Sequence, residues 1–196
     1  MGTIIIATKN RGKAHEYRQM FAAKGLKVRT LNDFSNPPVI HETGRSFAEN
    51  AMIKARTVVK WLKIPALADD SGLEVHSINN EPGIYSARYA GDHDDAANKR
   101  KLLKRLAGHH DRSATFVTCL VLLKPNGRKL IVTGRLNGRI LKAERGHDGF
   151  GYDPLFYVPA QHRTLAEMTT AQKDAISHRG IATRKLMRRF DDWWQD

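Results

Sequence analysis

Thr3-Ile4-Ile5-Ile6-Ala7 is an unbroken, largely β-branched run of strand length. A strand with one wet face alternates apolar and polar residues, so a continuous run marks a strand covered on both faces. The rest of the chain must therefore supply helices to cover it. After a polar loop at Thr8 to Gly12, Tyr17, Met20 and Phe21 recur at helical spacing and Gly25 is placed to stop that helix. A second helix is marked by Ser46 and Glu49, which match a capping box, and by a stripe of Ala48, Ala51, Met52, Ala55, Val58, Val59 and Leu62. Beyond Pro65 the pattern predicts a strand over Ala66 to Asp69 and a separate extended piece over Leu73 to His76.

Pro82-Gly83 reads as a turn, and Asp92 with Asp95 opens a helix whose apolar positions are Ala96, Leu102, Leu103 and Leu106, ended by Gly108. Ala114 to Leu123 and Lys129 to Leu136 flank Pro125-Asn126-Gly127, a hairpin signal. Gly146 to Gly151 reads as a loop and Leu155 to Val158 as a short strand. Thr164 with Glu167 suggests another capping box, and one last helix carries Leu186, Phe190 and Trp193 or Trp194 on one side. The order predicts an α/β fold: a mixed central sheet flanked by helices, in two lobes with a cleft between them, residues 1–196 forming a single domain.

The chain has 33 Lys and Arg against 20 Asp and Glu, a formal charge of +13, which attracts polyanions such as nucleotides, nucleic acid or an acidic surface. Its one cysteine, Cys119, is in a strand-like run and has no partner for an internal disulfide, which fits a reducing compartment. The first apolar run is too short for a signal segment and no stretch approaches membrane-spanning length, so the expectation is a soluble, cytoplasmic protein with no membrane partner.

Ala68-Asp69-Asp70-Ser71-Gly72 sets two carboxylates where an apolar segment gives way to a turn-forming pair. Such carboxylates suit a hard divalent cation or a general base. Successive strand side chains point to opposite faces, so both reach one ion only if the strand ends or twists there. Asp70 takes the leading role, with Asp69 as a second ligand or a more distant carboxylate; the alternative is a turn in which both only satisfy backbone groups. Glu42, just before the capped helix, is a freer candidate ligand than Glu49, or else a loop carboxylate in water. Thr8-Lys9-Asn10-Arg11-Gly12-Lys13 brings backbone N–H groups, a hydroxyl, an amide and cations to a helix start, an anion site unless it is an ordinary basic turn. Phe150 and Tyr152, around Gly151 and before Asp153, either stack on a nucleobase or plug a core. His178-Arg179 adds donors suited to the 6-keto oxygen of a purine, where adenine would itself donate.

These segments, with Glu42-Thr43-Gly44, Ser46 to Ala51, Pro82 to Tyr89, Gly149 to Asp153 and Ser177 to Gly180, closely resemble the inosine triphosphate pyrophosphatase family, in order from Ile4 to Gly180. The resemblance implies hydrolysis of dITP, ITP and XTP to the monophosphate and pyrophosphate, and a homodimer with no obligate nucleic acid. It implies that Thr8 to Lys13 hold the triphosphate, Glu42 and Asp70 bind Mg²⁺, and Asp70 accepts the proton. It also implies that Ser71 contacts substrate, that Lys54 and Lys173 bind phosphate, and that Phe150 to Asp153 with His178 and Arg179 read the base. His41 departs from the family, where an acid is common before Glu42. Ile84-Tyr85 and Trp193-Trp194 offer apolar surface for the dimer. Two rivals stand beside this reading. One is a nucleic-acid-binding module using the run Lys124 to Arg145, in which seven Lys or Arg face only Glu144. The other is a related pyrophosphatase for modified pyrimidine nucleotides.

Overall fold

A computed structural model describes residues 2–91 and 94–195, without the side chain of Arg11. Asp92, expected to help open a helix, lies outside the described residues, as does the side chain of Arg11 in the expected phosphate loop. Eight strands run in the order β2-β1-β3-β5-β6-β7-β8, with β4 on β3. They are β1 (Thr3–Ile6), β2 (Lys27–Thr30), β3 (Ala66–Val75), β4 (Glu81–Gly83), β5 (Ser113–Leu123), β6 (Lys129–Ile140), β7 (Phe156–Val158) and β8 (Arg163–Thr164). The helices are α1 (Arg11–Ala22), α2 (Phe47–Leu62), α3 (Asp95–Arg105), α4 (Thr170–Ile176), α5 (His178–Met187) and α6 (Phe190–Gln195). This is the expected mixed sheet flanked by helices. Among the described residues no helix is long and apolar enough to cross a membrane.

The chain forms two compact units, residues 1–70, 119–132 and 186–196, and residues 71–118 and 133–185. In the first unit, β1 pairs in parallel with β2, Thr3 opposite Lys27, and with β3, Ile5 opposite Ala66. Ile4, Ile5 and Ile6 are almost fully buried, as the unbroken apolar run requires. Phe21 of α1 and Phe190 of α6 meet with ring centroids 5.2 Å apart. The hairpin turn closes with Lys124 N–H donating to Arg128 O, and Gly127 adopts φ +88°, a backbone conformation that disfavours side chains. In the second unit, Leu73, Leu102, Leu106, Phe116, Leu155 and Phe156 share one apolar cluster.

Several local expectations change. The two expected extended pieces are one: β3 runs unbroken from Ala66 to Val75 through Ser71-Gly72, because its neighbour β5 continues the sheet, with Ser71 Oγ 2.8 Å from Thr118 Oγ1, and His76 begins a 3₁₀ turn. Pro82-Gly83 belongs to a short strand paired with β3, and the turn follows it, Tyr85 N–H donating to Pro82 O. The Thr164–Glu167 box caps only a single 3₁₀ turn. The one last helix is two, Leu186 lying on α5 and Phe190 with Trp193 and Trp194 on α6, and α4 precedes them. Ser177 is extended between α4 and α5, where its hydroxyl accepts from Gly180 N–H, so the chain caps and restarts. Trp193 is buried at 3% exposure and offers no surface for a partner, whereas Tyr85 is exposed.

Candidate active site

Helix α2 starts where Ser46 Oγ accepts from Glu49 N–H, but Glu49 turns back one residue further than a capping box requires and accepts from Arg45 N–H at 2.6 Å. Glu49 is therefore spent on the helix start, which leaves Asn50 and Lys54 on the face toward β3. Asn50 is fully buried; its Nδ2 donates to Asp70 Oδ2 at 3.3 Å and its Oδ1 accepts from Gly44 N–H at 2.9 Å. It ties the Glu42 segment and Asp70 to one side chain. Gly44 is needed there, since a Cβ would fall 2.7 Å from Asn50 Oδ1.

The Lys54 ammonium lies 3.0 Å from Glu42 Oε1 and 2.9 Å from Asp70 Oδ1, and donates to Asp69 O at 3.0 Å. Glu42 and Asp70, expected from separate segments, thus share one cation. Burial alone would lower the Lys54 pKa, but Asp70, Asp69 and Glu42 outweigh it and hold it raised. Burial raises the Asp70 pKa above the usual carboxylate range, opposed by Lys54. Because β3 continues, the Asp69 carboxylate meets a different lysine, Lys13, at 2.5 Å. The two acids do not converge on one point.

The Thr8 to Lys13 segment is shorter as a loop than expected, since α1 begins at Arg11. Asn10 is its N-cap: its side chain accepts from Lys13 N–H at 3.0 Å, and Thr8 Oγ1 accepts from Asn10 N–H. Thr8 is buried, while Lys9, Asn10 and Gly12 are exposed at the helix start. The sequence signal for this cap was Asn10 three residues before Lys13.

In the second unit, Phe150 is 59% exposed, with the Lys173 ammonium 4.7 Å and the Arg179 guanidinium 6.0 Å from its ring centre. Lys173 pairs with the buried Asp153, whose Oδ2 also accepts from Phe150 N–H. Asp95 fastens the loop from outside, accepting from Gly151 N–H at 2.7 Å, a contact nothing in the sequence marks. Tyr152 departs from the expected stacking pair: it is buried, its hydroxyl donates to Ser86 O, and burial raises its pKa. Phe150 alone of the two presents a face. His178 stacks on Phe116, 4.8 Å between ring centres and 11° from parallel. Gly134 on β6 lets the start of α5 approach the strand closely, because a Cβ there would run into His178 O and Ala182 N. Ser71 belongs to this unit, bonded to Thr118.

Among the described residues no group of three or more His, Cys, Asp or Glu side chains is arranged to hold a metal. The carboxylate pair Glu42 and Asp70 is the feature that fits one: two oxygen donors already gathered about a positive charge.

A family model described as the Ham1 family matches residues 4–189. The chain is 56% identical to a dITP/XTP pyrophosphatase of Lactiplantibacillus plantarum over 98% of this chain and 96% of that protein. The structure of the Staphylococcus aureus Ham1 protein superposes with a TM-score of 0.92 at 39% identity, covering 97% of this chain and 98% of that one. A HAM1 protein from Coxiella burnetii gives 0.92 at 42% identity over 98% and 100%.

Proposed function

The chain belongs to the Ham1 family, and we propose that it hydrolyses dITP, ITP and XTP to the nucleoside monophosphate and pyrophosphate, residues 1–196 acting as one catalytic domain. The observation that carries this reading is the pair Glu42 and Asp70 on the Lys54 ammonium, two acids from separate segments held about one cation. Water attacks the α-phosphorus, the bond from that phosphorus to the bridging oxygen breaks, and pyrophosphate leaves with the electron pair. Asp70 takes the water's proton, a role suited to a carboxylate whose basicity burial has raised.

Glu42 and Asp70 would hold Mg²⁺, whose preference for oxygen ligands they meet. When bound, the ion supplies neutralisation of phosphate charge and acidification of water. Lys13, Lys54 and Lys173 offset the charge of the leaving pyrophosphate. Each is already paired with a carboxylate, Asp69, Asp70 with Glu42, and Asp153, so each exchanges an internal acid for a phosphate oxygen rather than leaving water. That exchange spares the cost of stripping a fully hydrated ammonium. The helix start at Thr8 to Lys13 supplies N–H groups to the same phosphates, and Ser71 is a further substrate contact. Phe150 stacks on the base, and His178 and Arg179 donate to the 6-keto oxygen, with Gly151, Tyr152 and Asp153 shaping the loop. An adenine presents a donor at that position and is disfavoured. The enzyme acts as a homodimer in the cytoplasm and needs no nucleic acid.

The test is pyrophosphate release from a panel of ITP, dITP, XTP, ATP, GTP and modified pyrimidine triphosphates, with and without Mg²⁺. ITP, dITP and XTP should lead, and Asp70→Asn should lower kcat by about 10²–10⁴-fold while nucleotide binding persists. Preference for the modified pyrimidines, or an active Asp70→Asn enzyme, overturns the reading.

A further inference from the structure

We propose that a groove in the first unit, lined by none of the residues of the hydrolytic reading, is a second binding site for a phosphate-bearing anion about the size of one nucleotide. The groove has a volume of about 390 Å³ and is lined by α2 and by the turn joining β5 to β6. Ligand pockets commonly run about 300–1,000 Å³. Five cations line it: Arg56 and Lys60 from α2, Lys63 just past its end, Lys124 from the turn and Lys129 from the start of β6. No acid lines it, and the sequence has no Asp or Glu from residue 50 to 68 or from 112 to 143.

Several cations elsewhere in the chain are neutralised by an acid. Arg18, Lys24, Lys99, Arg105, Arg135 and Arg145 each pair with a carboxylate. Among the described residues Arg56, Lys60, Lys63 and Lys129 form no such pair, and Lys124 donates only to a backbone carbonyl, Trp194 O. Arg56 and Lys60 are four residues apart and share one face of α2, and Lys63 follows as the residue that ends the helix, with φ +56°. Like charges so gathered repel each other until an anion arrives. The groove also has an apolar part, from the buried Val59 and Leu123 with Met52, which suits a ligand with an apolar body beside its phosphate. That combination is the chemistry of a nucleotide, either free or as the phosphorylated end of a nucleic-acid strand. It gives a use to part of the +13 charge that the hydrolytic site leaves unexplained.

The full chain, in EDTA and low salt, is titrated with ADP and separately with a 5′-phosphorylated ten-nucleotide oligothymidylate while backbone amide NMR signals are followed. Saturable shifts at both residues 59–63 and 124–129, beyond the turn that carries Lys54, are expected with at least one probe. Response to ADP identifies a free nucleotide as sufficient, and response to the oligonucleotide alone identifies the strand end. The triple variant Arg56→Gln, Lys60→Gln, Lys129→Gln should weaken that binding by at least about tenfold, with ITP hydrolysis unchanged. No shift in the groove with either probe at millimolar concentration, or equal binding by a folded triple variant, overturns the proposal. Neither result depends on the hydrolytic assignment, which is read by turnover alone.

Discussion

Replacing Lys54 by Met removes the cation that Glu42 and Asp70 share while keeping most of the side chain's bulk. The ammonium's three contacts go to Glu42 Oε1, Asp70 Oδ1 and Asp69 O, all within 3.0 Å. Deleting one partner of a buried ion pair costs about 3–5 kcal/mol, because the remaining charge is left without compensation. Here the side chains keep 12%, 9% and 29% exposure for Lys54, Asp70 and Glu42, so water relieves part of that penalty. A loss of about 2–4 kcal/mol follows, which for a chain of this length lowers the unfolding midpoint by about 5–15 °C. Thermal unfolding followed by circular dichroism in EDTA measures it directly. Added Mg²⁺ should raise the midpoint of Lys54→Met by more than that of the parent, since an external cation then replaces the missing one. A variant melting within about 2 °C of the parent in EDTA, with no extra response to Mg²⁺, would refute the shared-cation argument.

Phe150→Ala should raise KM for ITP by about tenfold, the worth of one stacked base, with little change in unfolding midpoint because the ring is largely exposed; steady-state kinetics beside a melt separates the two. Tyr89, buried and donating to Glu81 Oε2, has its pKa raised to about 12. The folded state therefore keeps a proton that the unfolded chain loses near pH 10, so this contribution is complete below pH 10 and disappears as pH rises through 12. Denaturant titrations from pH 9 to 12 should show a shallower loss of stability for Tyr89→Phe than for the parent. Gly44→Ala places a methyl 2.7 Å from Asn50 Oδ1 and 2.9 Å from its backbone nitrogen. It should cost about 1–3 kcal/mol by urea unfolding and reduce kcat as well, because the displaced segment carries Glu42.

The parts of the fold legible in the sequence are those where one local rule acts alone. Ile4 to Ile6 could only be a strand covered on both faces, and β1 lies between β2 and β3 with all three residues buried. Ser46 announced α2 because a hydroxyl at a helix start has one good use. Ser71-Gly72 misled, since the pair favours a turn in isolation while sheet pairing on both sides of β3 outweighs that preference. The same error hid the fact that Asp69 and Asp70 serve different lysines, a direct consequence of side chains alternating along an unbroken strand. Tyr152 stays open between stacking and packing in the sequence, and Trp193 is expected at the surface; aromatic residues near loops and termini carry no local mark that tells a packed ring from an exposed one. Asn50 lay within the recognised segment, yet its contacts to Gly44 and Asp70 are tertiary and no spacing along the chain encodes them.

Hydrolysis of ITP in ¹⁸O-labelled water, with mass analysis of both products, tests the central claim most directly. Attack at the α-phosphorus predicts one labelled oxygen in the inosine monophosphate and none in the pyrophosphate. Label in the pyrophosphate, or release of orthophosphate in its place, would contradict it.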